Sequence, residues 1–427
     1  MEYIEKTIKK GIKVHSLKTN KFKTNLIAIF LTSELSRKTV TSNALISTVL
    51  RRGSKNMPTQ EEISKELEEL YGATFDCGID KTGDNQVLKF YIESINDKFL
   101  PQKDENMLKT SIEKILDIVF NPLIKDEAFD KEYVAQEKEN IKHRIEGKID
   151  NKARYALDRC IEEMYKDKPF GLYKFGYVED LENINEKNLY QQYKDLINEC
   201  KIDIFISGDI DDNIESIILE NEKVKKLKER EPKYNKESEQ EREKHGEITE
   251  KMDVNQGKLV IGLDVNTQSE DEKYYTLVYN NILGGSANSK IFQNVREKAN
   301  LAYVASSNYF RYKNNIFINC GIEISNYQKA VDLIKIQLED MKKGNFTDEE
   351  IENAKKSIVA IIRTIDDEQD TGITYYFGQE LSNNKTSIED YIKKIEGVKR
   401  ENILDVANKI DINTIYFLRD WYVIGEK

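Results

Sequence analysis

One order of elements occurs twice along these 427 residues, and that repetition limits the fold more than any single motif. In the first half the run 25–32, with Leu26, Ile27, Ala28, Ile29, Phe30 and Leu31, reads as a strand buried on both faces. A helix over 42–52 follows, with Leu45, Ile46, Val49 and Leu50 at helical spacing and Gly53 as its stop. Thr59 and Glu62 form a capping box for a second helix, which ends at Tyr71-Gly72. Strands at 73–78 and 85–94 come next, then helices at 108–120, 126–147 and 153–165, and a closing strand at 202–206. The second half repeats this series: strand 258–265, helix 271–283 closed by Gly284-Gly285, helix 289–298, strands 302–312 and 314–324, helices 327–343, 347–366 and 373–382, and strand 414–419. A duplicated α+β unit of roughly 200 residues explains the length better than three unrelated domains. The expected division is 1–220, a charged linker 221–257, and 258–427. Of the 31 residues 221–251, 19 are charged, which reads as a solvated segment with some helix and edge strand.

Charge and cysteine usage narrow the function. Lys+Arg is 66 and Asp+Glu is 77, a net charge of −11, and no basic patch is interleaved with aromatics. Such a chain is a poor partner for nucleic acid. No run approaches the ~18 apolar residues of a membrane span. Residues 1–10 are of mixed charge and lack the apolar core of a signal peptide, so a cytoplasmic protein is expected. Cys77, Cys160, Cys200 and Cys320 are far apart with no C-x-x-C pair, the pattern of reduced, mostly buried thiols.

Histidine is the scarcest catalytic residue type, with only His15, His143 and His245. Glu139 and His143 stand i,i+4 on one helix and could share a metal, but no further ligand can be named, and a solvated helix face is the expectation. His15 is read on a surface strand and His245 in the charged linker, both as ordinary polar residues. Without a G-x-S-x-G elbow or neighbouring histidines, a serine triad has no basis. The cysteines lack the His or Lys context of a reactive thiolate. Gly284-Gly285-Ser286 precedes a helix but belongs to no phosphate-binding pattern, so a tight turn is expected.

The stretch 282–309, I-L-G-G-S-A-N-S-K-I-F-Q-N-V-R-E-K-A-N-L-A-Y-V-A-S-S-N-Y, resembles the C-terminal half of the insulinase/pitrilysin family of zinc peptidases. The shared pattern is a glycine turn, a helix holding F-Q-x-x-R-E-K, and L-A-Y entering a strand. Phe120-Asn121-Pro122, the I-E-E-M-Y of 161–165 followed by Pro169-Phe170-Gly171, and Ile206-Ser207-Gly208-Asp209 extend the resemblance over about residues 10 to 420. It implies two tandem homologous α/β-sandwich domains, each a mostly antiparallel sheet packed with helices, together forming half of a peptidase clamshell.

In that family an inverted motif, H-x-x-E-H, on the first helix supplies two zinc ligands and the water-activating glutamate, and a distant glutamate completes the site. Counting from Gly53, the motif falls on Ala44-Leu45-Ile46-Ser47-Thr48. Ala44 and Thr48 then stand at the histidine positions and Ser47 at the base. The third ligand position falls near Arg144, with Glu139 as the other register. Methyl, hydroxyl and guanidinium groups cannot replace imidazoles and carboxylates, so no metal is expected on this chain. The resemblance places a substrate-contacting arginine and tyrosine at Arg296 and Tyr303. A guanidinium can anchor a peptide carbonyl or carboxylate, and a phenol can donate to an oxyanion.

The function this implies is that of a non-catalytic subunit in a heterodimeric bacterial zinc metallopeptidase, with zinc carried by an H-x-x-E-H partner. Peptide is expected to add as a strand to a sheet edge, with 73–78 as the candidate. Two alternatives stand beside it: a non-proteolytic peptide-binding or scaffold homodimer, and an active metalloendopeptidase with an unconventional metal site around Glu139 and His143.

Overall fold

The structure is a computed structural model that describes residues 2–100, 106–211, 214–236 and 243–421. Packing divides the chain into two compact units. One comprises Met1–Glu146, Leu172–Lys236 and Ile365–Asn383; the other comprises Gly147–Gly171, Glu237–Thr364 and Asn384–Lys427.

The first half runs β1 (Glu2–Lys9), β2 (Ile12–Lys18), β3 (Thr24–Glu34), α1 (Val40–Leu50), α2 (Gln60–Glu69), β4 (Thr74–Thr82), β5 (Asn85–Ile95) and α3 (Met107–Phe120). It continues through a small hairpin, β6 (Ile124–Lys125) with β7 (Ala128–Phe129), then α4 (Lys131–Glu146), α5 (Lys152–Met164), α6 (Val178–Leu181), α7 (Glu186–Glu199), β8 (Lys201–Gly208), α8 (Ile214–Glu220) and α9 (Glu222–Lys226). Six strands form a sheet in the order β1-β2-β8-β3-β5-β4, antiparallel except where β2 meets β8. Because side chains alternate across a strand, β3 gives the sheet two different faces. Ile27, Ile29 and Leu31 align with Ile92, Phe90 and Leu88 of β5 and with Ile206, Ile204 and Ile202 of β8. That aliphatic face carries the main core, against α1 and α3. The opposite face aligns Phe30 with Lys89 and Asp203, and Ala28 with Tyr91 and Phe205. It is mixed in polarity.

The second half runs β9 (Gly246–Lys251), β10 (Gly257–Val265), α10 (Glu270–Leu283), a π-helical segment Phe292–Lys298, β11 (Ala302–Phe310), β12 (Asn315–Ile322), α11 (Tyr327–Lys342), α12 (Asp348–Arg363), α13 (Gln369–Ser382), α14 (Ile388–Glu396), α15 (Arg400–Ala407) and β13 (Ile410–Arg419). Its sheet has the order β11-β12-β10-β13-β9, again with a single parallel pair, β13 with β9. Laid against β4-β5-β3-β8-β2 of the first sheet, the order and the position of the parallel pair coincide. The duplication is thus a repeat of topology, and β9, inside the segment expected as a linker, stands where β2 stands in the first sheet.

The expected boundaries assign residues by position along the chain, whereas packing exchanges a helix between the halves. α5, from the first half, packs on β10, β12 and β13; α13, from the second, packs on β3 and β8. Ala156, Cys160, Ile161 and Met164 of α5 join Val260, Phe317, Tyr416 and Leu418 in one apolar cluster.

The mixed face overturns the reading of His15 as a surface residue. His15 and Asp203 are fully buried, with His15 Nε2 2.9 Å from Asp203 Oδ1 and Tyr3 Oη 2.8 Å from His15 Nδ1. The His15 ring stacks on Phe205 at 4.1 Å. β2 is flanked on one side by β1 and on the other by β8, and Tyr376 of α13 stacks on Tyr3 at 4.1 Å. Neither cover has a local signature: β1 carries charges on both faces, and α13 lies more than 350 residues away in sequence.

Candidate functional site

α1 is nearly all buried, with the apolar face of the first sheet beneath it and α4 and α7 beside it. Ala44 and Ser47 are buried and Thr48 half-buried. The Ser47 hydroxyl donates to the Ala44 carbonyl at 2.9 Å and the Thr48 hydroxyl to the Leu45 carbonyl at 3.0 Å. Both hydroxyls are therefore satisfied by their own helix, the local back-bonding typical of Ser and Thr inside helices. At these three positions nothing is available to take up a proton near neutral pH.

On α4, Glu139, His143 and Arg144 are all exposed. The Arg144 guanidinium lies 5.1 Å from the Phe175 ring. The buried acid of this helix is Glu137, which belongs to no motif in the sequence. It forms an ion pair with Arg52, accepts from the Asn140 amide at 3.1 Å, and Arg52 in turn donates to Gln60 Oε1 at 3.1 Å. Arg52 lies two residues past the end of α1 and 85 residues from Glu137, so no local spacing in the sequence signals their pairing. Among the described residues no three His, Cys, Asp or Glu side chains are grouped as metal ligands, and Glu139 with His143 gains no third partner.

β4 runs past this end of α1 as the edge of its sheet. Cys77, in mid-strand, has a thiol that burial pushes up to about 11; Arg51 and Arg144 act to lower it, while Asp76 and Glu137 act to raise it. Arg51 closes α1, which packs against β4, and the Phe175 ring beneath Arg144 neighbours Lys174, which pairs with Asp80 of β4 at 3.1 Å. Asp76 Oδ1 accepts the backbone N–H of Cys77 at 2.8 Å.

In the second unit, Arg296 lies in the π-helical segment, where the Ala299 N–H reaches back five residues to the Asn294 carbonyl at 3.2 Å. Its guanidinium sits 4.6 Å from the Phe292 ring and 3.6 Å from the carboxylate of adjacent Glu297, with 41% of the side chain exposed. Tyr303 is 63% exposed. The register between β11 and β12 jumps from Ala302↔Ile322 to Val304↔Gly321, so Tyr303 is the extra residue of a β-bulge on an edge strand. A bulge re-aims the side chain it carries, and this one turns the phenol outward. The glycine turn before it is shaped by close approach: a Cβ on Gly284 would lie 2.7 Å from Ser307 N, whose N–H donates to the Gly284 carbonyl at 2.8 Å. The N–H groups of Gly284 and Gly285 both go to Asn280, so this turn ends a helix and offers no phosphate cradle.

Fold and site together define a two-unit peptidase-like scaffold whose first helix lacks metal-binding side chains. A family profile described as "Peptidase M16 inactive domain" matches residues 183–358. The probable inactive metalloprotease YmfF of Bacillus subtilis is 34% identical over 427 residues, covering 98% of this chain and 99% of that one. The chain belongs to the M16 family of peptidases, the insulinase/pitrilysin family, as an inactive-type member. Among solved structures, a conserved protein from Enterococcus faecalis superimposes with a TM-score of 0.88 at 27% identity, covering 98% of both chains. A peptidase M16 inactive domain from Pseudomonas fluorescens superimposes with a TM-score of 0.79 at 16% identity, over 99% of both chains, which shows the shared fold.

Proposed function

We propose that this chain is the non-catalytic subunit of a bacterial M16-type metallopeptidase. In this reading it completes a peptide-binding chamber and supplies Arg296 and Tyr303 to substrate held at the zinc of a homologous partner. The observation that carries the reading is on α1, where Ala44, Ser47 and Thr48 offer a methyl group and two hydroxyls already bonded to helix carbonyls. No water-activating carboxylate stands among them, and the buried acid on α4 is paired with Arg52. The outward Tyr303 on its bulge supports a role in contacting something outside the unit. A cytoplasmic location is part of the same reading; no helix among the described residues is long and apolar enough to cross a membrane.

The test is reconstitution. The purified chain is expected to cleave no peptide, and mixing it with an H-x-x-E-H homologue from the same genome is expected to give a 1:1 complex with peptidase activity that neither subunit shows alone. Chelator-sensitive cleavage by the lone chain would overturn the assignment.

A further inference from the structure

The edge at β4 carries an arrangement that the proposed peptide binding does not by itself require. β4 pairs only with β5, leaving its other side without a strand partner among the described residues. Arg51 closes α1, which packs against β4, and Arg144, in the last turn of α4, lies 5.1 Å from the Phe175 ring, next to Lys174, whose ammonium pairs with Asp80 of β4 at 3.1 Å; both arginines are exposed. Among the described residues neither guanidinium has an ion pair or a hydrogen bond; Arg144 rests only on the Phe175 ring. Glu137 is paired with Arg52, and Asp76 accepts the backbone N–H of Cys77. In a chain with eleven more acids than bases, two arginines without an ion pair among the described residues, beside an open strand edge, are places where an incoming carboxylate finds a partner. Guanidinium groups are the side chains best shaped to hold a carboxylate through paired N–H donors.

We propose that the β4 edge, flanked by Arg51 and Arg144, selects extended peptides that place a carboxylate opposite Cys77. The inference rests on the strand-addition reading above and adds to it the chemical class of the ligand. The backbone of the incoming strand supplies affinity without sequence preference, and the arginine pair supplies the preference. The incoming strand must displace Asp76 from the Cys77 N–H, a local edge guard of the kind that discourages unspecific pairing.

The test uses the full chain and fluorescein-labelled nine-residue β-forming peptides that differ only at the central residue, Glu, Ser or Lys, each with a free or an amidated C-terminus. Fluorescence anisotropy at low and at high salt gives the affinities. The Glu peptide is expected to bind about tenfold more tightly than the Ser peptide, with Lys weakest, and the Glu preference to shrink at high salt. The terminal carboxylate is common to all three peptides, so the Glu preference is expected to survive amidation; a preference lost on amidation overturns the inference that a side-chain carboxylate is held opposite Cys77. In the R51Q/R144Q variant the Glu-to-Ser ratio is expected to fall to about one. Equal binding of all three peptides, or a ratio that survives the double change, overturns the inference while leaving strand addition standing. Failure of every peptide to bind overturns both.

Discussion

His15 Nε2 lies 2.9 Å from Asp203 Oδ1 in an interior where both side chains are fully buried. The pair sits on the mixed face of the first sheet, and Lys201 also bonds Asp203 there. Glu380 of α13 takes Lys13 at 2.7 Å and Lys201 at 3.2 Å. The helix from the second half docks on this ionic cluster and on the aromatic rings beside it, with Phe377 4.6 Å from Phe30 and Tyr376 stacked on Tyr3. Burial acts to raise the Asp203 carboxyl, but Lys201 and His15 outweigh it and hold the group at about 2.

Removing the Asp203 charge is therefore expected to be severe. Asp203→Asn leaves buried Lys201 with Glu380 as its remaining carboxylate partner, so the loss is expected at the low end of the cost of breaking a buried pair from one side, about 3 kcal/mol. The pH dependence has a definite sign. An aspartate in the unfolded chain titrates at about 3.9, so the folded-state depression stabilises fully above that pH and is lost as pH falls toward 2. Urea melts of the parent chain should lose stability steeply between these values, and those of D203N should start lower and fall less. Parallel slopes in the two proteins would contradict this account.

The seat of α5 is tight in the opposite sense, through apolar packing. A Cβ at Gly262 would meet Met164 Sδ at 2.9 Å and Phe317 at 3.2 Å. Gly262→Val should destabilise by about 1–3 kcal/mol through overpacking, read as a lowered denaturant midpoint. Gly262→Val combined with Met164→Ala should recover part of the loss, because the second change opens the space the first one fills.

Metal removal should leave the lone chain unaffected. Its melting temperature is expected to be the same with and without a strong chelator, and metal analysis of the purified chain should give far less than one zinc per molecule. A chelator-dependent drop in melting temperature would point to ligands other than those placed on α1 and α4.

Arg296 and Tyr303 should matter only in the complex. If Tyr303 donates to a developing oxyanion, Tyr303→Phe in the reconstituted peptidase should lower kcat by about 10²-fold or more, the scale of losing one such donor. Arg296→Ala should act mainly on KM if it anchors substrate. The melting temperature of the isolated chain should hardly move, since both side chains are substantially exposed. Unchanged kinetics in both variants would favour a scaffold role.

Much of both sheets is legible in the order of residues. The β3 run announces a central strand because Leu26 to Leu31 are all apolar, and the Thr59–Glu62 capping box fixes the start of α2, where the Thr59 hydroxyl accepts the Glu62 N–H. β1 is not legible in this way, because its burial alternates weakly and its charges point both ways. The expected series also lacks α14 and α15, at 388–407. They are 9 and 8 residues long, about two turns each at 3.6 residues per turn, too short to show a sustained period.

What the sequence determined by itself was local and chemical: the repeated order of elements, the motif around Arg296 and Tyr303, and the small neutral groups at positions 44, 47 and 48. These follow from side-chain identity and from spacing along a single element. The tertiary structure alone decided which helix covers which sheet, that His15 is interior, that Glu137 is engaged by Arg52, and that Tyr303 turns outward on a bulge. Each of those depends on pairings between segments distant in sequence, and burial or charge compensation has no local signature when the partner lies in another part of the chain.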